Sequence, residues 1–357
     1  QNHFLYSSNT TDPVKKTRPK VGLVLSGGGA KGFAYIGMLR VFQEVGLEVD
    51  YIGGTSIGSI MGGLYAIGYS PDEIEKMIRA QDWDALLKDQ IPRKYVAYEE
   101  KEFLENSLIS LPFRKRKIGL KQAMYSGQQI DLLLNKYFSP AWNITDFNKL
   151  QTPFLCVGTN LFNGNAEILQ HGYLPMAIRS SMSIPGYFSP AHYNGFYLVD
   201  GGIVNNYPAV PLQKDGAQLL IGGDVQSGLK DSISQLSSMT EIINQIIFFH
   251  GEEANKEARE VIDLNIRFEV PAGMMDFESY DTIIAYGEKV AREHYKELKA
   301  LADSLNAIEF KPLKKYKTVP LDSLNIAKVI YVGNKKMSTI FLDNYFERFE
   351  NTKISIK

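Results

Sequence analysis

The stretch Gly54-Thr55-Ser56-Ile57-Gly58 constrains this chain more than any other. It follows the short apolar segment Tyr51-Ile52-Gly53 and leads into Ser59-Ile60-Met61-Gly62-Gly63-Leu64-Tyr65-Ala66, so it reads as strand, tight turn and helix. G-x-S-x-G in that context is the pattern of a nucleophile elbow, a serine on a strained turn that projects above a sheet. Gly54 and Gly58 fit it, because a side chain two residues either way would collide with strand or helix. The helix N-terminus at the serine favours developing negative charge. The competing reading is a glycine-rich helix start with an incidental serine. With 30 glycines in 357 residues, the motif alone does not decide between the two.

Upstream, Val21-Gly22-Leu23-Val24-Leu25-Ser26 is a continuous apolar run, as expected of a strand buried on both faces of a parallel sheet. Gly27-Gly28-Gly29-Ala30-Lys31-Gly32 follows, then a helical pattern from Phe33 to Val45-Gly46. A glycine-rich turn of this kind turns bare backbone N–H groups towards whatever sits above the sheet. Phosphate binding is one use, yet the spacing is not that of a P-loop, and only Asp50 stands roughly 20 residues on in a ribose-binding position. The other use is an oxyanion hole, and the serine elbow on the next strand strengthens that reading. Lys31 either adds positive potential there or is simply exposed.

A third feature is Tyr197-Leu198-Val199 leading into Asp200-Gly201-Gly202, an aspartate at the end of a buried strand where α/β enzymes place functional groups. An ordinary Asp-Gly turn is the plain alternative. A histidine base would be the usual partner of a serine nucleophile. His171 and His192 are the candidates by position, but neither follows the acid-then-histidine order of the α/β-hydrolases, and His192 reads as a loop residue. A carboxylate acting directly on the serine is simpler. It needs partial desolvation to raise an ordinary aspartate pKa, together with oxyanion stabilisation.

Composition sets the outer limits. A chain 44% hydrophobic and 22% charged has room for one large domain and something smaller. A formal net charge of −1 gives no support for nucleic-acid binding, so any membrane contact is local and apolar. Cys156, the one cysteine, lies in the apolar run Phe154-Leu155-Cys156-Val157 and reads as a core residue. Five scattered histidines carry no metal-ligand spacing, so neither metal nor cofactor is expected. No apolar run reaches the length of a membrane span, and the N-terminus does not read as a signal peptide. Gln1 in place of a starting Met suggests an upstream segment removed from the chain.

Residues 1–19 read as a flexible leader whose basic end, Lys15 to Lys20, is a solvated linker. Ser70-Pro71-Asp72-Glu73 opens a helix, with Trp83, Leu86 and Leu87 continuing helically. Residues 107–124 read as a hairpin tipped by Arg114-Lys115-Arg116-Lys117, a solvated tip or a contact to phosphate headgroups. Ser126–Tyr137 is helical. Thr152–Thr159 is a buried strand that pairs with Ala166–Leu169, and Leu174–Met182 is a helix. The apolar stretch Ile242 to His250, flanked by Met239, is a helix whose role as core, lid, dimer contact or lipid-docking surface is left open. Ile266–Val270 reads as a last strand and Asp281–Ala302 as a closing helix.

Taken together these residues resemble the patatin-like phospholipase family, through Gly27–Gly32, Gly54–Gly58, Ala177-Ile178-Arg179-Ser180-Ser181-Met182-Ser183-Ile184-Pro185 and Asp200-Gly201-Gly202, in the family's order over roughly residues 20–225. The resemblance implies a three-layer α/β/α fold with a central, mostly parallel sheet across residues 20–312. It implies Ser56 as nucleophile and Asp200 as its base, with the N–H groups of Gly28 and Gly29 holding the oxyanion and Gly27 shaping that loop. Gly54, Gly58, Gly201 and Gly202 support elbow and turn. The implied reaction is hydrolysis of phospholipid or other lipid acyl esters through an acyl-Ser56 intermediate.

Residues 313–357 begin with Lys314-Lys315-Tyr316-Lys317, a linker. Ile326–Asn334 then reads as an alternating strand ending in Gly-Asn, and Met337, Ile340 and Phe341 begin a helix. This resembles the start of a polypeptide-transport-associated (POTRA) domain. The pairing implies the passenger of a type Vd autotransporter, hence a Gram-negative envelope, contact with a membrane surface and a homodimer. The alternatives weighed against an enzyme are a catalytically idle binding or secretion module of the same fold, and a nucleotide-binding protein using the Gly27–Gly32 loop.

Overall fold

In a computed structural model, residues 17–90, 113–114, 117–118, 123–236, 242, 245, 248–312, 323–331, 334 and 337–355 are described. Strand β1 (Val21–Leu25) passes through a 3-10 turn into α1 (Ala34–Val45), and β2 (Tyr51–Gly54) turns sharply into α2 (Ile57–Ala66). Helices α3 (Pro71–Arg79) and α4 (Trp83–Leu87) follow, then β3 (Phe113–Arg114), β4 (Lys117–Ile118) and α5 (Gln128–Tyr137). The chain continues through β5 (Phe154–Asn160), β6 (Ala166–Leu169), α6 (Leu174–Ser181), β7 (Ala191–Tyr193), β8 (Phe196–Asp200), α7 (Ala209–Lys214) and β9 (Leu219–Asp224). It then adds α8 (Glu252–Val261), β10 (Leu264–Arg267), α9 (Tyr280–Glu293), α10 (Tyr295–Ile308), β11 (Ser323–Ile326), α11 (Thr339–Phe346) and β12 (Thr352–Ser355).

The sheet runs β10-β9-β1-β2-β5-β8-β7, with β6 also on β5. The five strands from β10 to β5 are parallel, and β6, β7 and β8 are antiparallel additions. Alternation along β1 separates the two faces. Val21, Leu23 and Leu25 join the large core under α1, α2, α3, α6, α9 and α10, whereas Val24 joins a smaller one with Leu155, Leu212 and Ala258 under α7 and α8. This is the expected three-layer α/β/α arrangement, with unequal outer layers.

Local sequence explains the helix limits. Ser70 accepts from the Glu73 N–H while Glu73 bonds back to Ser70, a capping box reinforced by Pro71. Helices α1 and α9 cross with their backbones in contact: a Cβ on Gly37 would lie 2.2 Å from the Glu288 nitrogen, and one on Gly287 2.1 Å from the Ala34 oxygen.

Several expectations are corrected. Arg18 is buried rather than solvated; its guanidinium donates to Asp50 at 2.6 Å and to the Glu48 carbonyl at 2.9 Å. Asp50 also accepts from the Val21 N–H and from Lys311, at the end of the sheet opposite Ser56, which removes it from any ribose-binding role. The last strand of the sheet is Leu264–Arg267, and the closing helix is two helices broken at His294. In the C-terminal region the strand is Ser323–Ile326, paired with Thr352–Ser355; residues 327–331 are irregular, so the strand expected over Ile326–Asn334 is displaced towards the N-terminus. Of the charged tip, Arg114 in β3 pairs with Lys117 in β4, while Lys115, Arg116 and most of the rest of the 107–124 hairpin lie outside the described residues. Of the 239–250 stretch, Ile242, Gln245 and Phe248 are helical, and Ile242 and Phe249 are exposed; Met239, Ile243, Asn244, Ile246 and Ile247 lie outside the described residues.

The crossing of α1 and α9 yields a stability prediction. Gly37→Leu should cost about 1–3 kcal/mol through overpacking, read as a lowered Tm; an unchanged Tm would show that the two helices can separate freely.

Candidate active site

Ser56 occupies the turn between β2 and α2, at φ 53°, a conformation uncommon and strained for a residue with a side chain. The flanking glycines make the turn sterically feasible. A Cβ on Gly54 would sit 2.3 Å from the Gly58 oxygen, and one on Gly58 2.3 Å from the Leu25 oxygen. Further bonds fix the elbow: the Ser56 N–H donates to the Ser181 hydroxyl at 3.1 Å, Ser59 Oγ donates to the Ser56 carbonyl at 2.6 Å, and Thr55 Oγ1 donates to the Asn205 carbonyl at 3.0 Å.

The Ser56 hydroxyl donates to Asp200 Oδ2 at 2.7 Å, although 144 residues separate them. Strand register brings them together. Cys156 pairs with Gly54 of β2 on one side and with Leu169 of β6 on the other, while Gly158 pairs with Asp200 of β8 and Glu167 of β6. With β6 along one edge of β5, both β2 and β8 lie along the other edge. β2 runs parallel to β5 and β8 antiparallel, so their C-terminal ends approach each other across Val157. Gly201 fills the join, where a Cβ would be 2.2 Å from the Val157 oxygen.

Asp200 is held at every polar atom. Its N–H donates to the Ser183 carbonyl, its carbonyl accepts from Thr159 Oγ1, and Oδ1 accepts from the Gly202 N–H at 2.7 Å. Its side chain is buried, with 4% of the residue exposed. Burial pushes the Asp200 carboxyl up to about 6, a larger effect than the opposing hydrogen bonds from Ser56 and Gly202. No compensating cation touches it among the described residues.

The glycine loop lies beside this pair. Asn206, six residues beyond Asp200 in the chain, takes the Gly27 N–H through both its carbonyl and its side-chain oxygen, each at 3.2 Å, and returns an Nδ2 bond to the Gly27 oxygen. The Ala30 N–H donates to the Met274 carbonyl at 2.8 Å. The N–H groups of Gly28 and Gly29 between them have no partner among the described residues. Gly29 has φ +61°, and a Cβ there would lie 2.1 Å from the Met274 oxygen. Gly202 is likewise pressed against Asn206 Oδ1. The Lys31 ammonium donates to Ser227 at 2.5 Å, and burial together with Lys230 lowers its pKa.

From Ser56 and Gly29 an apolar cavity opens, walled by α2, α4, α5 and the segment Met274–Phe277. Trp83 stacks on Phe277 at 5.3 Å in one wall. Among the described residues no histidine lines it. His171 is exposed, 3.6 Å from Asp146, and His192 lies on strand β7 against Tyr197 rather than in a loop. Cys156 is fully buried, its thiol pKa raised by burial. Among the described residues no cluster of His, Cys, Asp or Glu is arranged to hold a metal.

Local sequence had singled out Ser56, Asp200 and the glycine loop, and the structure brings them together. It assigned no role to Asn206, nor to Ser181 and Arg179, which lie within the Ala177–Pro185 motif; Arg179 is buried, donates to Ser183 and to the Ser126 carbonyl, and lies 2.9 Å from Asp131. Arg179 thereby braces the segment whose Ser183 carbonyl holds the Asp200 N–H. Beyond that motif, its sequence signal is a charged residue amid the small and apolar residues of α6.

Residues 23–212 match the model of a family described as patatin-like phospholipase. Among curated relatives, a patatin-like phospholipase domain-containing protein of Caenorhabditis elegans is 32% identical over 63% of this chain and 15% of its own length. A lysophospholipase of Meyerozyma guilliermondii is 30% identical over 58% of this chain and 13% of its own length. The chain thus matches only a small part of each of these relatives. Human group IVD cytosolic phospholipase A2 aligns with 82% of this chain and 61% of its own, at 11% identity and a TM-score of 0.44.

The buried carboxylate makes a stability prediction with a defined sign. A folded-state pKa near 6, above the usual carboxylate value, means that ionised Asp200 destabilises the fold above pH 6, and that the penalty disappears as pH falls through 6 towards 4. Asp200→Asn should therefore raise stability at pH 7.5 by about 1–3 kcal/mol, with the gain shrinking below pH 6. Denaturant unfolding at pH 7.5 and 4.5 checks it; a variant less stable than wild type at pH 7.5 would refute the argument.

Proposed function

Because this chain belongs to the patatin-like phospholipase family, whose model spans more than half of it, we propose that it is a serine hydrolase of lipid acyl esters. The observation that carries the reading is the 2.7 Å bond from the strained Ser56, which lines an apolar cavity, to a buried Asp200. As Ser56 Oγ attacks the ester carbonyl, its proton passes to Asp200 Oδ2. The carbonyl electron pair moves onto oxygen, where the free N–H groups of Gly28 and Gly29 receive the oxyanion. Collapse expels the alcohol portion of the lipid, which takes the proton from Asp200, and leaves the acyl group on Ser56. Water, deprotonated by Asp200, then releases the fatty acid. A carboxyl pKa near 6 suits this double duty, since the group is ionised at neutral pH yet more basic than an exposed aspartate.

Gly54, Gly58, Gly201 and Gly202 support this machinery sterically. Lys31 stands at its edge, close enough to Ser227 and Lys230 to attract an anionic headgroup rather than the reacting ester. Contact with a membrane surface is part of the proposal, supported by exposed Leu161 and Phe162, which project beyond the C-terminal end of β5, the edge on which Ser56 lies. Among the described residues no helix is long and apolar enough to cross a membrane.

We further propose that residues 323–357 begin a POTRA domain and that the chain is the dimeric passenger of an envelope autotransporter. The support is a small strand–helix–strand unit of β11, α11 and β12 that follows the patatin-like domain. Fractionation of the producing cells should recover the protein with the outer membrane; recovery in the cytosol would overturn this.

Ser56→Ala should abolish ester hydrolysis and labelling by a fluorophosphonate. Asp200→Asn should slow both by about 10²–10⁴-fold. In wild type, kcat/KM should fall about tenfold per pH unit below pH 6 as Asp200 takes up a proton. Retained labelling in Ser56→Ala, or a full rate in Asp200→Asn, would exclude the dyad.

A further inference from the structure

The apolar cavity has a direction and an end. Its wall follows one face of α2 from Ser56 through Ile57, Ile60 and Met61 to Leu64. The far end is fixed by contacts around the C-terminus of α2. Phe138 packs there, its ring 3.1 Å from where a Cβ on Gly63 would be, and the Tyr69 hydroxyl donates to the Tyr137 carbonyl at 2.9 Å. Beside them, Gln81 Nε2 donates to the Tyr137 hydroxyl at 2.9 Å and to the Met77 carbonyl at 2.7 Å. Among the described residues of the lining, Gln81 and Tyr137 are, apart from Ser56, Gly29 and Trp83, whose indole N–H donates to the Ile78 carbonyl, the polar-bearing members of an otherwise apolar wall, and both are partly buried.

At this end the apolar wall is closed by a side-chain hydrogen bond, a polar contact that a hydrocarbon chain cannot replace. We propose that the Gln81–Tyr137 bond is the end stop of a single-acyl-chain pocket and sets the length of chain this enzyme hydrolyses best. The inference rests on the hydrolase reading and makes it more specific. From Ser56 to Leu64 the helix axis rises about 12 Å, the length of an extended alkyl chain of about ten carbons. Up to that length each added methylene leaves water for the hydrocarbon wall. Beyond it, the chain can enter only by displacing Gln81 from Tyr137, which costs the hydrogen bond that closes the pocket. The preferred substrates are therefore esters of one medium-length acyl chain.

The test is the chain-length profile of kcat/KM for p-nitrophenyl esters from C4 to C16 with the whole chain. Wild type should rise to an optimum near C10 and fall beyond it. Gln81→Ala and Tyr137→Phe, which break the stop, should each move the optimum up by two or more carbons, with C4 hydrolysis within about threefold of wild type. Leu64→Trp, which fills the pocket short of the stop, should move it down to C6 or below. Fluorophosphonate labelling of each variant verifies a folded site, and the partly exposed position of Gln81 makes that variant decisive if Leu64→Trp does not fold. Unshifted optima in Gln81→Ala and Tyr137→Phe, with C4 hydrolysis still dependent on Ser56, would overturn the end stop and leave the hydrolase reading intact. Absence of hydrolysis at every length in labelling-competent wild type would overturn both.

Discussion

Two strands of opposite direction end against each other on one edge of β5, and the chemistry of the protein depends on that meeting. β2 delivers Ser56 and β8 delivers Asp200, and the separation of their ends is fixed by the pairing of Gly54 with Cys156 and Asp200 with Gly158. Backbone ladders are stiff, so the 2.7 Å bond between the two side chains is held by the sheet rather than by flexible loops. Small residues are required where the chains turn away. Gly201 passes over the Val157 carbonyl and Gly58 over the Leu25 carbonyl at distances no Cβ tolerates.

The same constraint places a carboxylate where little solvent surrounds it. Asp200 has hydrogen-bond donors but no cation, so burial dominates and its proton affinity rises. The group that would serve as a base is thereby a liability to the fold at neutral pH. Bracing around it is correspondingly dense: Thr159 and Ser183 hold its backbone, Arg179 holds Ser183, and Asn206 ties the following turn to Gly27. Asn206 fastens Gly27, and the next two N–H groups of the loop have no partner among the described residues. Strain at Ser56 and an uncompensated charge at Asp200 thus sit together in a site over-determined by its neighbours.

Much of the domain could be read from local pattern. The apolar run Val21–Leu25, the capping box at Ser70 and the helical periodicity of Ala34–Val45 each carry their structure within a few residues. Reading was weakest where neighbours decide. His192 looked like a loop residue but is paired along β8; Arg18 looked solvated because its partner, Asp50, is distant in sequence; and the C-terminal strand slid because alternation continues past the residues that find a partner. In the site, Asn206 has no local signature, since its role exists only once the turn after Asp200 is folded against the loop after β1.

What the sequence alone determined is the set of conformations that only particular residues permit: a serine between glycines at a strand-to-helix turn, a glycine loop after a buried strand, and an Asp-Gly-Gly stop. These are local steric facts and need no partner. The pairing of Ser56 with Asp200, the raised proton affinity of that aspartate, and the end of the apolar cavity at Gln81 and Tyr137 were decided by tertiary structure. Distance, burial and enclosure arise between segments far apart in the chain, and strand register sets the first of them.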